Sequence, residues 1–236
     1  MVDIHCHILP GIDDGSKSWE MTVEMCRAAV VDGVTHIVAT PHANHRYQYD
    51  RERFTDMLGQ LHDVADGKLS CSIGCDFHFS YENIQDALEH PRRYTIGDTQ
   101  YLLIEFSDYA IPPNVQEQIL ALRSRGMVPI ITHPERNPWL LRKPEKVLSL
   151  IEQGCLVQVT ANAVTGAWGD RSKKMVEWLL ERDAVHVVAS DAHDPVRRTP
   201  VMSEARNAIA RLAGPKVAQS LVGDNPAAIV EGRSLT

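Results

Sequence analysis

Short apolar runs alternate with amphipathic segments along this chain of 236 residues. Seven such runs, rich in Val, Ile and Leu, recur about every thirty residues, and this pattern is typical of strands that are covered on both faces. The first run carries His5 and His7, and the others lie at residues 34–40, 69–76, 101–106, 127–132, 155–160 and 185–190.

The segments between the runs predict helices, because their apolar residues recur at three- and four-residue spacings. The first helix covers residues 17–32, and Gly33 stands where a C-cap glycine belongs. Alternating strands and helices indicate an α/β fold with a parallel sheet. Further helices are expected at residues 51–65, 82–90, 144–153 and 170–182, with a helical C-terminal part whose last helix begins at Asn225.

Potential metal ligands stand at the ends of these runs. His5 and His7 are separated by one residue and therefore point to the same face of a strand, and a Gly/Pro turn with Asp13 and Asp14 follows them. Parallel strands bring their carboxyl ends to one side, so we expect the ligands to converge there. For any single position the alternative is an ordinary solvent-exposed polar side chain, but six of the seven strand ends carry such residues: His5 and His7, His42, Asp76, Glu105, His133, and Asp191 with His193.

Imidazole and carboxylate without thiolate suit Mn, Fe or Zn. With Asp14 included, nine candidate ligands are too many for one tetrahedral ion, so we expect two or three ions that activate water and clamp a phosphate. Arg136 and Arg198 follow two of the ligand motifs and are candidate hydrogen-bond donors to a phosphate. For a single arginine, however, a solvated position on the surface is more common. None of the five cysteines begins a Cys-x5-Arg motif, and GxxxxGK and GxSxG are absent from the sequence.

Charge and cysteine usage limit the function classes. The formal net charge is −7, with 31 acidic and 24 basic residues, so the sequence does not predict a basic surface for nucleic acid. Five irregularly spaced cysteines argue against a disulfide framework and suit a reducing compartment. Without a recognisable signal peptide or membrane span, we expect a cytoplasmic protein that is not inserted in a membrane.

The motifs H-x-H-x-x-P-G-x-D-D-G at residues 5–15, T-P-H at 40–42, L-I-E-F at 103–106, H-P-E-R at 133–136 and S-D-A-H at 190–193 resemble the PHP (polymerase and histidinol phosphatase) superfamily. They look most like its bacterial capsule and exopolysaccharide branch, the manganese-dependent protein-tyrosine phosphatases. The resemblance implies a single-domain distorted (β/α)7 TIM-like barrel over residues 1–236 with two or three manganese ions, Fe or Zn being the alternatives.

The resemblance also implies three ligand sets, in which one residue bridges two ions. Arg136 and Arg198 match the catalytic arginines that bind phosphate in the family. The bridging position is usually Glu there, and Asp76 is shorter by one methylene, which bears on the spacing of the first two ions. The implied sets are His5, His7, Asp76 and Asp191 for the first ion, Asp76, Glu105 and His133 for the second, and Asp14, His42 and His193 for the third.

The implied activity is hydrolysis of phosphotyrosine on the tail of a bacterial tyrosine kinase that controls capsular or exopolysaccharide synthesis. Three alternatives stay open. The first is a histidinol-phosphate or other small-molecule phosphatase on the same scaffold, and the second is a nucleic-acid phosphodiesterase. The third is a catalytically inactive metal-binding regulatory domain. The sequence is compatible with a monomer or a homo-oligomer.

Overall fold

Strands and helices alternate through the computed structural model, which describes residues 1–64 and 67–235. Ala65, the expected end of the second helix, and Thr236, the last residue of the expected domain, lie outside the described residues. The strands are β1 (Val2–Cys6), β2 (His36–Ala39), β3 (His42–Ala43), β4 (Ser70–Ile73), β5 (Asp76–His78), β6 (Tyr101–Glu105), β7 (Val128–Thr132), β8 (Leu156–Thr160) and β9 (Val187–Ala189).

The helices follow the strands closely in chain order. A 3-10 turn at Leu140–Arg142 and a π-helical turn at Ser220–Asp224 lie among them. The α-helices are α1 (Trp19–Asp32), α2 (Arg51–Val64), α3 (Tyr81–Glu89), α4 (Val115–Ser124), α5 (Glu145–Glu152), α6 (Ala161–Thr165), α7 (Asp170–Leu180), α8 (Ser203–Ala213), α9 (Pro215–Gln219) and α10 (Asn225–Val230).

Local sequence explains the ends of α1. The Ser18 side chain accepts a hydrogen bond from the amide of Met21, and Gly33 ends the helix in the left-handed conformation with φ 88°. Both are the usual solutions for the unpaired amides and carbonyls at helix ends. The C-cap role predicted for Gly33 is therefore confirmed.

Two parallel sheets contain these strands. Within the described residues one sheet has the order β1-β2-β4 and the other β3-β5-β6-β7-β8-β9, and every pairing is parallel. The predicted α/β fold with parallel sheets is confirmed. All strands of such a sheet place their carboxyl ends at the same edge.

The described residues hold nine strands where seven runs are found in the sequence, because one run is broken and another is followed by a separate short strand. Pro41 ends the run at residues 34–40, since it has no amide hydrogen and cannot continue the ladder, and β3 begins directly after it. Gly74 breaks the other run where a Cβ atom would lie 2.9 Å from Cγ1 of Val38. After these breaks, β3 and β5 leave the sheet of β2 and β4 and join the second sheet.

The first sheet lies beside the end of the second through β1. The amide of Asp191 donates to the carbonyl of His5 over 2.8 Å, and the amide of His7 donates to that of Ala192 over 2.8 Å. A parallel bridge also pairs Cys6 with Ala192. The histidines of β1 therefore lie next to the segment that follows β9.

Both faces of the central strands are buried. On β6, Leu102 and Ile104 belong to the large apolar core, whereas Tyr101 and Leu103 belong to a smaller one. Side chains alternate along a strand, so Glu105 continues the face of Tyr101 and Leu103 at the carboxyl end. A carboxylate is thereby brought to the end of an otherwise apolar layer.

The described cysteines are all free thiols, and Cys6 is fully buried in the large core. His36 and His186, which interrupt apolar runs, both make structural hydrogen bonds. His36 bonds the hydroxyls of Ser70 and Ser72, and His186 accepts from the amide of Val157. Residues 1–64 and 67–235 include no helix with the length and apolar character needed to cross a membrane.

Asp32 joins the first helix to α8, and its loss is expected to destabilise the fold. Its carboxylate accepts hydrogen bonds from the amides of Met202 and Ser203, at 2.7 and 2.9 Å, and from the hydroxyl of Ser203. Asp32→Ala leaves these donors unpaired at a helix N-terminus and should lower the free energy of unfolding by about 2 kcal/mol. Urea denaturation measures the change.

Glu24→Ala provides the matched control, because Glu24 is an exposed carboxylate on the same helix. Its effect on the free energy of unfolding should stay within about 0.5 kcal/mol. Equal losses for the two variants would contradict the role given to Asp32.

Candidate metal centre

A cavity of about 90 Å³ lies at the carboxyl ends of the strands. Both predicted arginines and seven of the nine predicted ligands line it, while His5 and His7 contact the lining through Asp76 and Asp191. The structure thus brings all of the predicted site residues into one place. The lining residues are Asp14, His42, Asp76, Glu105, His133, Arg136, Asp191, His193 and Arg198.

His5 and His7 point their Nε2 atoms at each other over 3.3 Å. A hydrogen bond on the far side fixes each ring. Nδ1 of His5 lies 2.9 Å from the side-chain oxygen Oε1 of Gln158, and Nδ1 of His7 lies 2.8 Å from Oδ2 of Asp13. These oxygens are acceptors, so each ring donates from Nδ1 and turns its Nε2 toward the other ring. Two Nε2 atoms this close need a positive charge between them, either a proton or a metal cation, which makes the pair suited to a metal ion.

Asp76 lies at the middle of the cluster. Its Oδ2 is 3.5 Å from Nε2 of His5, 3.9 Å from Nε2 of His7 and 3.2 Å from Nδ1 of His42. Both of its oxygens are buried without a hydrogen-bond donor among the described residues. Since a buried ionised carboxylate is costly unless it is paired or bound to a cation, this donor set fits a divalent metal.

A second group of ligand atoms surrounds Asp14, which follows the turn after β1. Its Oδ1 lies 3.3 Å from Nε2 of His42 and 3.4 Å from Nε2 of His193. The other ring nitrogen of His193 lies 3.0 Å from the Asp191 carbonyl and donates to it. The two imidazoles thus face Asp14 from different strand ends.

Three groups of atoms in the described residues are close enough to share ions, and they overlap through His7, His42 and Asp76. Asp191 approaches the first of them, with Oδ1 3.5 Å from Nε2 of His5. Nε2 of His133 lies 3.8 Å from Oε1 of Glu105. Which ion each residue holds stays a prediction. The groups are His5, His7 and Asp76; His7, Asp14, His42 and His193; and His42, Asp76 and Glu105.

Carboxylates favour positive charge on two of the imidazoles at the cavity. Burial lowers the pKa of His5, but the carboxylates of Asp76 and Asp191 outweigh it and raise that pKa to about 9. Burial likewise opposes the charged form of His42, yet the neighbouring carboxylates of Asp14 and Asp76 raise its pKa to about 12. A site whose potential favours protonated imidazole also favours divalent cations, which compete with protons for the same lone pairs.

Two of the predicted ligands have strained backbones. His133 and Asp191 adopt φ angles of 34° and 52°, in a region that residues other than glycine seldom occupy. Such strain persists only where surrounding structure enforces it and is found mainly at functional sites. Close packing also fixes His7, because a Cβ atom at Gly15 would lie 2.2 Å from its carbonyl oxygen.

Arg136 and Arg198 converge on one oxygen, Oδ2 of Asp191. Arg198 donates from Nη2 over 2.6 Å, and Arg136 donates from Nη1 to the same atom. The Nε atom of Arg198 is buried without an acceptor among the described residues. Both guanidinium groups line the cavity, and planar donors of this kind match phosphoryl oxygens.

Two contributors to the site were not identified from the strand-end pattern. Gln158, which orients His5, lies inside β8 rather than at its end, and only its polar amide among apolar neighbours signals a role. Trp168 lies on a loop, with its ring 4.6 Å from the guanidinium carbon of Arg136 and 5.7 Å from that of Arg198. No spacing motif marks it.

Comparison of the sequence with known proteins places these features among characterised relatives. Tyrosine-protein phosphatase YwqE of Bacillus subtilis is 34% identical over 209 residues, which cover 87% of this chain and 82% of the relative. Tyrosine-protein phosphatase CpsB of Streptococcus pneumoniae is 32% identical over 239 residues, which cover 98% of each chain.

Solved structures agree with this relationship. A crystal structure from work on YwqE and CpsB, described as unique metal-dependent tyrosine phosphatases, superposes with a TM-score of 0.94 at 31% identity and covers 100% of this chain and 96% of that one. Histidinol phosphate phosphatase of Lactococcus lactis shares the fold at a TM-score of 0.60 and 12% identity, over 90% and 93% of the two chains. The family model for capsular polysaccharide synthesis, CpsB/CapC, matches residues 1–231, and the chain therefore belongs to the CpsB/CapC family.

Proposed function

We propose that this chain is a metal-dependent protein-tyrosine phosphatase. The observation that supports it best is the convergence of seven imidazole and carboxylate side chains with two arginines around one cavity, with His5 and His7 directly behind them. Relatives at 32–34% identity bear the name tyrosine-protein phosphatase. Metal ligands and guanidinium donors together are the parts that a phosphoryl-transfer site needs.

The proposed ligands divide between two or three divalent ions, for which manganese is our choice and Fe or Zn the alternatives, since oxygen and nitrogen donors suit all three. When bound, the ions supply an activated water and neutralise charge on the phosphoryl group. The proposed ligands are His5, His7, Asp76 and Asp191 for one ion, Glu105 and His133 with Asp76 for a second, and Asp14, His42 and His193 for a third.

The chain's own residues bind and orient the substrate in this proposal. Arg136 and Arg198 donate to the phosphoryl oxygens and hold phosphorus in line for attack. Gln158 accepts from Nδ1 of His5, and Asp13 accepts from Nδ1 of His7. These contacts keep Nε2 of each ring directed at the metal site.

A cysteine nucleophile is not part of this mechanism. Cys75 precedes Asp76, but burial and then the neighbouring carboxylate raise the pKa of its thiol well above its usual value. The thiol is therefore neutral, and a neutral thiol is a poor nucleophile.

We further propose the finer features implied by the family resemblance. The two sheets form one distorted (β/α)7 barrel, which the bridge between Cys6 and Ala192 supports, and a single domain contains the matched residues 1–231. The substrate is the phosphotyrosine-containing tail of a bacterial tyrosine kinase that controls capsular or exopolysaccharide synthesis, and the chain acts in the cytoplasm. This assignment is supported by the family's link to capsular polysaccharide synthesis.

Substrate choice is the first test. With added Mn²⁺, the protein is expected to hydrolyse a phosphotyrosine peptide with kcat/KM at least about a hundred-fold above that for histidinol phosphate, a difference of about 2.7 kcal/mol. Phosphate release measures both reactions. A preference for histidinol phosphate would support the small-molecule alternative, and bound metal without turnover would support the inactive regulatory domain. Cleavage of single-stranded DNA would support the phosphodiesterase alternative.

Removal of the central ligand Asp76 is expected to reduce the amount of bound metal. Asp76→Asn keeps the size of the side chain but removes a charge that three histidines face, so bound metal per chain should fall by at least one ion and activity by more than about 10²-fold. Elemental analysis after gel filtration measures the metal. His36→Ala is the matched control, because His36 is a histidine bonded to Ser70 and Ser72 on another strand, and its metal content should not change.

The residues behind the ligands are expected to tune metal affinity. Asp13→Asn removes the anionic acceptor that fixes His7 and should weaken metal binding by about 10–100-fold. Competition with a chromophoric chelator measures the dissociation constant. Asp50→Asn tests an exposed aspartate whose side chain accepts from the amide of Arg53 at the start of its own helix, and it should leave the constant unchanged. Equal effects from both variants would exclude the orienting role.

A further inference from the structure

Trp168 stands partly exposed beside the cavity, with 37% of its surface accessible. It lies in a tight turn between Gly166 and Gly169, whose φ angles are 93° and 87°, and the amide of Gly169 donates to the carbonyl of Gly166 over 2.9 Å. These left-handed positions suit glycine. The turn therefore presents a large aromatic ring at a defined place.

The ring contacts the two arginines of the site together. The guanidinium carbon of Arg136 is 4.6 Å from the ring centroid and that of Arg198 is 5.7 Å away. Distances within about 6 Å allow a cation–π attraction. The same two groups donate to Oδ2 of Asp191, so the ring and one carboxylate hold both cations.

This arrangement addresses an electrostatic difficulty. Two guanidinium groups that share one acceptor oxygen repel each other, and one carboxylate carries only a single negative charge to offset them. The negative face of an indole ring adds attraction without adding an acceptor that would compete with a phosphate. Stacking also restricts the rotamers of two long side chains before a ligand arrives, which lowers the entropy cost of binding.

A hydrogen-bonded link sets the turn relative to Arg198. The backbone carbonyl of Asn162 accepts from the amide of Trp168 over 3.4 Å. The side-chain amide of the same residue lies 3.5 Å from the carbonyl of Arg197 and donates to it. Asn162 thus connects the turn that carries Trp168 with the loop that carries Arg198.

We propose that Trp168 is a positioning residue that holds Arg136 and Arg198 together as one binding site for the phosphoryl dianion. This inference rests on the proposed phosphatase function. It assigns to the indole no contact with the reacting atoms, and its effect on the ligand passes through the arginines.

The test compares binding of inorganic phosphate to the manganese-loaded full chain. Trp168→Leu should weaken the dissociation constant, measured by calorimetry, by about ten-fold, because two cation–π contacts are lost. Trp168→Phe keeps an aromatic face and should stay within about two-fold of the original protein. Metal content should be the same in all variants. For the phosphotyrosine peptide, the same change should appear mainly as a raised KM.

Trp178→Leu is the matched control. Trp178 lies on α7, outside the cavity lining, and the guanidinium carbon of Arg182 is 4.2 Å from the centroid of its ring. Its phosphate affinity should not change. In an Arg136→Met background, Trp168→Leu should cost only about three-fold, since one of the two stacked cations is already gone.

An unchanged affinity in Trp168→Leu, an equal loss in Trp168→Phe, or a full ten-fold loss in the Arg136→Met background would each overturn the proposal. Should Trp168→Leu lose its folded circular dichroism spectrum, Trp168→Gln tests the same point with a polar side chain at the half-exposed position. Absence of peptide hydrolysis by the original protein would contradict the proposed function, whereas the phosphate affinities would still judge the role of Trp168.

Discussion

Two histidine rings whose Nε2 atoms lie 3.3 Å apart need a proton or a metal cation between them, and this is the constraint on which the site depends. The fold holds the rings in this position with ordinary hydrogen bonds behind them, which His5 donates to Gln158 and His7 donates to Asp13. β1 itself is fixed on both sides, by β2 and by the segment after β9. The protein thus builds a place for positive charge before any ion binds, and preorganisation of this kind favours binding.

The two breaks in the strands contribute directly to that place. After Pro41 the chain changes sheets, and His42 becomes the register partner of Asp76 on β5. In the next strand pair of the second sheet, between β5 and β6, His78 is the partner of Glu105. Partners in neighbouring strands lie about 5 Å apart, so a change of sheet aligns an imidazole with a carboxylate. Uninterrupted strands would have continued the pairings of the first sheet instead.

Much of this arrangement can be predicted from the sequence, because apolar periodicity and strand-end chemistry are local signals. The parallel α/β fold and the convergence of Glu105, His133 and Asp191 follow from them. The change of sheets was not predicted, since Pro41 and Gly74 only mark breaks and do not say which strand comes next. Gln158 and Trp168 act through contacts with residues distant in sequence, and such contacts depend on the three-dimensional packing.

Asp191 lies between the imidazole side of the cavity and its arginine side. Its Oδ1 lies 3.5 and 3.6 Å from the Nε2 atoms of His5 and His7, whereas its Oδ2 accepts from Arg136 and Arg198. One carboxylate charge is shared between the two sides, so a cation beside Oδ1 reduces the hold of Oδ2 on the guanidinium groups. The two guanidinium groups then bind a dianionic phosphoryl group more favourably. Because the aromatic ring of Trp168 contacts both arginines without accepting their hydrogen bonds, it can keep them in place while their acceptor changes.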